Sequence, residues 1–213
     1  MFAGSANAAE IIVNGGFETG DFSGWTATNN AISELTPHTV SGAGGGWFGN
    51  TSPLSGSFDA YNGFDGDAGL TYDLFQDVTI ASGVNAILTT NHRIQYDGFG
   101  ITSTLDRIFE ISILDLGGLL LANLYSESIT LNGAGFTDLG WNNQTFDLSS
   151  FAGNTVRINF HEFISEDFTG PTNIEFDNIS LQTSPSAVPE PATFALLGLG
   201  LAGIGYSRKK KKT

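Results

Sequence analysis

Ile108-Phe109-Glu110-Ile111-Ser112-Ile113-Leu114 is the stretch that decides the fold. Phe109, Ile111 and Ile113 fall on one side of an extended chain, and Ile108, Glu110, Ser112 and Leu114 on the other. Successive side chains of a strand point to opposite faces, so this period of two predicts a strand. The same signal recurs on both sides. Upstream lie residues 74–80 (LFQDVTI), 86–90 and 93–96. Downstream, residues 119–124 follow a Gly117-Gly118 turn and predict a hairpin, and residues 145–148, 155–163 and 174–181 follow. In residues 155–163, Val156, Ile158 and Phe160 alternate with Arg157, Asn159 and His161. In residues 174–181 the alternation is imperfect: Ile174, Phe176, Asn178 and Ser180 oppose Glu175, Asp177, Ile179 and Leu181. Nearer the start, Ile11-Ile12-Val13 ends in the turn signal Asn14-Gly15-Gly16, and short strands with long loops are expected up to Ser57. No part of this body carries apolar residues at helical spacing over 11 or more positions. Eight to ten short strands with turn chemistry between them predict an all-β sandwich over residues 9–182.

Charge narrows the function classes. Between Glu10 and Ala187 there are three arginines, no lysine and 21 carboxylates, a net charge of −18. Such a surface repels phosphates, so no nucleic-acid partner is expected. Cations, neutral sugars or simple solubility fit it. The chain has no cysteine, which removes disulfides, thiolate metal sites and thiol catalysis.

The two ends read as delivery signals. Ser5-Ala6-Asn7-Ala8-Ala9 has the small-x-small pattern of a signal-peptidase site, with the cut after Ala8, so residues 1–8 read as a signal-peptide remnant. An apolar stretch in frame upstream of Met1 is the corresponding expectation. At the other end, residues 183–187 (TSPSA) form a polar linker. Then come Pro189-Glu190-Pro191, an uncharged apolar run over residues 192–206, and a basic cluster, Arg208, Lys209, Lys210, Lys211 and Lys212. As a helix the apolar run is about 22 Å long, short against a hydrocarbon core of about 30 Å. A short C-terminal transmembrane helix with a basic cytoplasmic end is predicted.

Residues 188–213 resemble a PEP-CTERM sorting signal in the order of these three blocks. The resemblance implies export by a bacterium with a two-membrane envelope and transient anchoring in the inner membrane. It also implies cleavage near the Pro-Glu-Pro by an exosortase, and association with exopolysaccharide or biofilm matrix. An ordinary uncut tail anchor is the other reading.

The body is similar to galactose-binding-like jelly rolls, including many carbohydrate-binding modules. The matching stretches are Val13-Asn14-Gly15-Gly16-Phe17-Glu18 running to Gly24-Trp25, Phe176-Asp177-Asn178-Ile179-Ser180-Leu181, and residues 146–153 and 155–160 between them. The resemblance implies a jelly-roll β-sandwich with a structural Ca²⁺ beside the first and last strands. Glu18 and Asp177 match its carboxylates, and Asp21 is a third candidate. Acceptance of turn amides is the alternative role for Glu18 and Asp177.

Sugar binding needs an exposed aromatic beside polar side chains. Trp47, Tyr61, Asn62, Phe64, Tyr96, Asp97 and Phe99 are the candidates, with core packing as their other reading. Trp25 is expected in the core and Trp141 partly buried. Asp65-Gly66-Asp67 reads as an acidic turn. His38, His92 and His161 lack zinc-site spacing. Glu162, Glu166 and Asp167 form an acidic cluster that does not by itself make a glycosidase, and no G-x-S-x-G, P-loop or dinucleotide fingerprint occurs. The expected protein is an exported, non-catalytic surface or matrix component. The alternatives are an extracellular glycan hydrolase and a self-associating structural protein.

Overall fold

The computed structural model of the 213-residue chain describes residues 8–30, 38–63, 68–100, 102–133, 135–166 and 170–186. These form eleven strands: β1 (Ala9–Glu10), β2 (Thr26–Asn29), β3 (Thr39–Ser41), β4 (Asp59–Asn62), β5 (Leu70–Thr79), β6 (Val84–Tyr96), β7 (Arg107–Leu114), β8 (Leu120–Ile129), β9 (Thr137–Asp147), β10 (Thr155–Ile164) and β11 (Thr172–Pro185). One 3₁₀ turn, Ser149–Phe151, stands between β9 and β10.

The strands make two antiparallel sheets. One has the order β3-β4-β11-β6-β9, with β1 pairing the far end of β11. The other has the order β2-β5-β10-β7-β8. The chain crosses repeatedly between them, as in a jelly-roll sandwich.

Several strands are longer than their apolar patterns predict. Residues 86–90 and 93–96 belong to one 13-residue strand, β6, because Asn91 and His92 continue the ladder against both β11 and β9. The predicted linker is shorter than expected for a similar reason: Thr183, Ser184 and Pro185 continue β11 along β6. Polar side chains mask a strand in the sequence, but backbone pairing does not depend on them. Among the described residues no helix is long and apolar enough to cross a membrane. The predicted span at residues 192–206 lies outside them, as do Pro189, Glu190, Pro191, Arg208, Lys209 and Lys210.

Between the sheets lies one apolar layer. Phe109, Ile111 and Ile113 of β7 are fully buried there, on the face their alternation assigns. Phe17, Trp25, Phe160, Phe176, Phe109 and His92 form a ladder of ring contacts with centroids 4.8–6.0 Å apart. The broken alternation of the last strand has a structural cause. The register of β11 on β6 shifts between Asp177 and Ser180, and Asn178 adopts φ +50°. Ile174 and Phe176 before this bulge, and Ile179 and Leu181 after it, are therefore all buried.

That bulge receives the N-terminal motif. The Ile179 amide donates to the Gly15 carbonyl at 2.9 Å. A Cβ on Gly15 would lie 1.7 Å from the Ile179 carbonyl oxygen, so only glycine fits. The first and last parts of the body are thus joined backbone to backbone.

Candidate functional site

The outer faces of the two sheets differ. On the six-stranded sheet, residues 42–58 fold back over β4 and β11 and are held by carboxylates. Glu18 accepts the amides of Ser57 (2.9 and 3.1 Å) and Phe58 (3.1 Å). Asp177 accepts Ser55 at 2.9 Å and Asn178 at 2.6 Å, and Glu175 accepts Ser52 at 3.1 Å. The two candidate calcium ligands thus act as acceptors for turn amides. They flank Gly16, and Glu18 lies close enough to Asp177 to add to the upward shift that burial gives its carboxyl. Asp21 is not with them. It closes its own turn, accepting the Thr19 hydroxyl and the Ser23 amide. Among the described residues no three acidic or histidine side chains converge as a metal site.

Beneath the same segment, Asp59 is fully buried with its carboxyl against that of Glu175. Burial, with the adjacent Glu175 carboxylate, pushes Asp59 up to about 8. Burial also raises Glu175, although Arg93 approaches it at 3.4 Å.

The five-stranded sheet presents an open grid of side chains. Alternation places Asp73, Phe75 and Asp77 of β5, Arg157, Asn159 and His161 of β10, and Glu110, Ser112 and Leu114 of β7 on its outer face. Register aligns them in rows. Phe75, Asn159 and Ser112 form one row, and Thr28, Asp73, His161 and Glu110 another. A shallow groove of about 150 Å³ runs between Thr28, Asp73, Phe75, Leu114, Arg157 and Asn159.

Hydrogen bonds fix the polar groups in place. Asp73 Oδ1 accepts from Asn159 Nδ2 at 2.9 Å and pairs with His161 Nδ1 at 2.8 Å. Burial acts to raise Asp73, but His161 and Asn159 outweigh it and hold the carboxyl below its ordinary value. The same contact, first among its causes, raises His161 and favours the imidazolium. Arg157 donates to both oxygens of Asp77, at 2.7 and 3.1 Å, and its guanidinium lies 3.7 Å from the Phe75 ring centroid. On the far side Glu110 accepts from Asn123 Nδ2 at 2.8 Å. The floor is therefore rigid, half-exposed, and offers both donors and acceptors around one aromatic side chain.

None of the sequence candidates for sugar binding lines this groove. Trp47 is 46% exposed on the folded-back segment, and the Tyr61 ring packs over Gly45 on the six-stranded sheet. Asn62 is buried beside it, Tyr96 packs against the core, and Phe64 lies outside the described residues. Asp97 accepts the Phe99 amide at 2.8 Å, which holds Phe99 69% exposed at φ +45°. The groove residues sit in regular strands, where a search for aromatic turns does not look. The signal that finds them is the polar half of each alternating strand: Arg157, Asn159 and His161 follow one another at a spacing of two.

The remaining acidic candidates are tied elsewhere. Glu162 faces the interior, fully buried, 3.3 Å from His38; burial raises it despite that partner. Glu166 bonds the buried Arg107 at 2.5 Å, and Asp167, like Asp65 and Asp67, lies outside the described residues. His38, His92 and His161 pair with three different acids, Glu162, Glu127 and Asp73.

Comparison with known proteins bears on the tail and on the fold. Residues 187–210 match the PEP-CTERM protein-sorting motif, which implies export and processing by an exosortase-type enzyme. No curated protein matches the chain. Among solved structures it is similar to TmCBM61 in complex with beta-1,4-galactotriose, at 18% identity and a TM-score of 0.50, over 81% of this chain and 97% of that one. A cyclase from Fischerella sp. TAU gives 16% identity and 0.49, over 85% and 100%. The adhesin domain of Lys-gingipain from Porphyromonas gingivalis W83 gives 16% and 0.48, over 86% and 100%. The first likeness establishes a shared jelly-roll sandwich and assigns no ligand.

Proposed function

We propose that the chain is an exported, non-catalytic glycan-binding module whose ligand lies in the groove of the five-stranded sheet. The observation that carries this reading is the fixed array of Asp73, Asn159 and Arg157 around Phe75 in an open groove, with His161 beside it holding Asp73 in place. Sugar hydroxyls both donate and accept, and an aromatic side chain covers their C–H faces. Exopolysaccharide of the surrounding matrix is the ligand this delivery route brings within reach. The tail serves export, passes through the inner membrane as a transient anchor, and is removed near Pro189-Glu190-Pro191 to leave the body at the cell surface. Glycan-array binding of the purified body tests the groove. Phe75→Ala and Asn159→Ala are each expected to weaken retention about tenfold without moving the melting temperature by more than a few degrees. Retention of no glycan, or undiminished binding by both variants, rejects the groove as the site.

A structural calcium ion belongs to this reading as a clamp on the chain ends. Glu18 and Asp177 would hold it, and its charge would offset two neighbouring carboxylates that now share only amide donors. Calorimetric melts with and without EDTA decide the point: a fall in melting temperature is expected, and no shift removes the cation.

One observation favours a second reading, a self-associating structural protein. Leu116, Leu119, Leu120 and Leu121 at the β7–β8 hairpin are 45–65% exposed beside the outer edge of β8, which pairs with no further strand among the described residues. Light scattering of Leu120→Lys against the native chain separates the two readings.

A further inference from the structure

The chain leaves the sandwich at one end, and the exposed leucines stand at that same end. Ser186, the last described residue, donates its amide to the Gly83 carbonyl at 3.0 Å. Residues 80–83 link β5 to β6 there. Residues 148–154 link β9 to β10 beside them, with the Ile80 amide on the Asn154 carbonyl at 3.0 Å. Register brings the β7–β8 hairpin to this end as well. Leu114 pairs with Arg157, two residues into β10, so the turn over residues 115–119 reaches the level where β10 begins. The turn is rigid: Asp115 Oδ1 accepts the amides of Gly117 and Leu119, both at 2.8 Å, and Gly118 takes φ +88°. Leu116, Leu119, Leu120 and Leu121 stay exposed around it.

This end is nearly free of charge in a strongly acidic body. Residues 80–86, 116–126, 148–156 and 182–186 contain no charged side chain. The nearest carboxylates are engaged. Asp115 and Asp147 close turns, the latter on the Ser149 amide at 2.8 Å, and Asp77 is paired with Arg157. Glu10 beside the end of β11 accepts the amides of Ile12 and Leu181. At the opposite end Asp97, Asp106 and Glu166 stand within two residues of β6, β7 and β10.

We infer that this end of the sandwich rests on the phospholipid bilayer while the tail anchors the chain, with the four leucines dipped into the bilayer's interface. This rests on the reading of the tail as a transient anchor. Covalent reach sets the geometry. From Ser186 to the apolar run that begins at Ala192 there are six residue steps, about 20 Å when fully extended. β6 is 13 residues long, about 43 Å from this end of the body to the other. The tether is too short to bring the acidic end down to the membrane, so it presents the uncharged, leucine-bearing end. Attraction to the bilayer grows with the apolar area buried in it. A second copy is less well served by the same leucines. β8 has two register shifts against β7 and holds the charged Glu127 against the buried His92, features that spoil a strand edge for pairing.

The chain has no cysteine, so single labels are unambiguous. Leu116→Cys and Leu119→Cys carry an environment-sensitive fluorophore at this end, and Phe99→Cys carries it at the other. Each full-length variant is reconstituted in vesicles of neutral phosphatidylcholine containing lipids spin-labelled near the top of the acyl chain. The labels at 116 and 119 are expected to shift to the blue and to be quenched about threefold more than the label at 99. Adding Leu120→Asp/Leu121→Asp is expected to remove most of that quenching. Equal quenching at the two ends, in a chain that floats with the vesicles, overturns the inference and leaves the anchor standing. A blue shift that appears without vesicles and grows with protein concentration assigns the leucines to a second copy and also overturns it. A chain that does not float with the vesicles takes down the anchor reading with it. The comparison of the two ends decides the matter even where the double variant does not fold.

Discussion

Gly15 shows how closely a single residue is constrained. With no room between its Cα and the Ile179 carbonyl, Gly15→Ala must move either the N-terminal turn or the β11 bulge. A loss of about 3 kcal/mol is expected, read as a lower midpoint in denaturant melts. Asp59 makes a different prediction. Its folded value of about 8 lies above the ordinary carboxyl value of 3.8, so the folded state holds this proton more tightly than the unfolded chain. Stability therefore falls as pH rises from about 4 to about 8 and then levels off. His161 acts in the same sense, since its raised value gives stability that is lost as pH climbs through it. Thermal melts from about pH 6 to pH 9 should decline, and Asp59→Asn should flatten that decline. A native profile that rises over this window contradicts the placement of Asp59 beside Glu175.

At the scale of elements, the segment over residues 42–58 is held to the six-stranded sheet by amide-to-carboxylate bonds. Glu18 supplies acceptors for two consecutive amides, and a Cβ on Gly56 would lie 2.2 Å from its Oε1. Glu18→Ala is expected to cost about 1–2 kcal/mol and to raise hydrogen exchange at Ser57 and Phe58 ahead of the core strands. Unchanged exchange there means the segment is held by other contacts. The bulge in β11 belongs to this scale too. It turns Ile179 inward after Phe176, so that one strand buries apolar side chains from both halves of an imperfect pattern.

Across the whole molecule, charge is divided between a basic tail and an acidic body. Five of the eight basic residues lie in the last six positions, so removal of the tail leaves a body with three arginines. Mass spectrometry of the mature protein is expected to find a C-terminus near Pro189-Glu190-Pro191. An intact Arg208-Lys209-Lys210 on that protein indicates an uncut anchor instead. The sandwich itself sets two outer faces against each other, one covered by residues 42–58 and one open. That asymmetry supports the five-stranded sheet as the proposed binding face.

The all-β class, the inward face of β7 and the sorting motif are legible in the order of residues alone, because each rests on local order: a period of two, or three blocks in succession. The sequence also supplied Glu18 and Asp177 as a pair, through a resemblance at both ends of the body. It did not reveal that β6 is continuous through Asn91 and His92, since a strand pairs through its backbone whatever its side chains are. The groove was equally out of reach. Asp73, Leu114 and Arg157 are separated by 41 and 43 positions and come to line it together only through the registers of β5, β10 and β7. Long-range pairing placed them on one face. Tertiary packing also decided which aromatic residues stay exposed, because burial depends on what the fold lays over each side chain and not on the residue's own polarity.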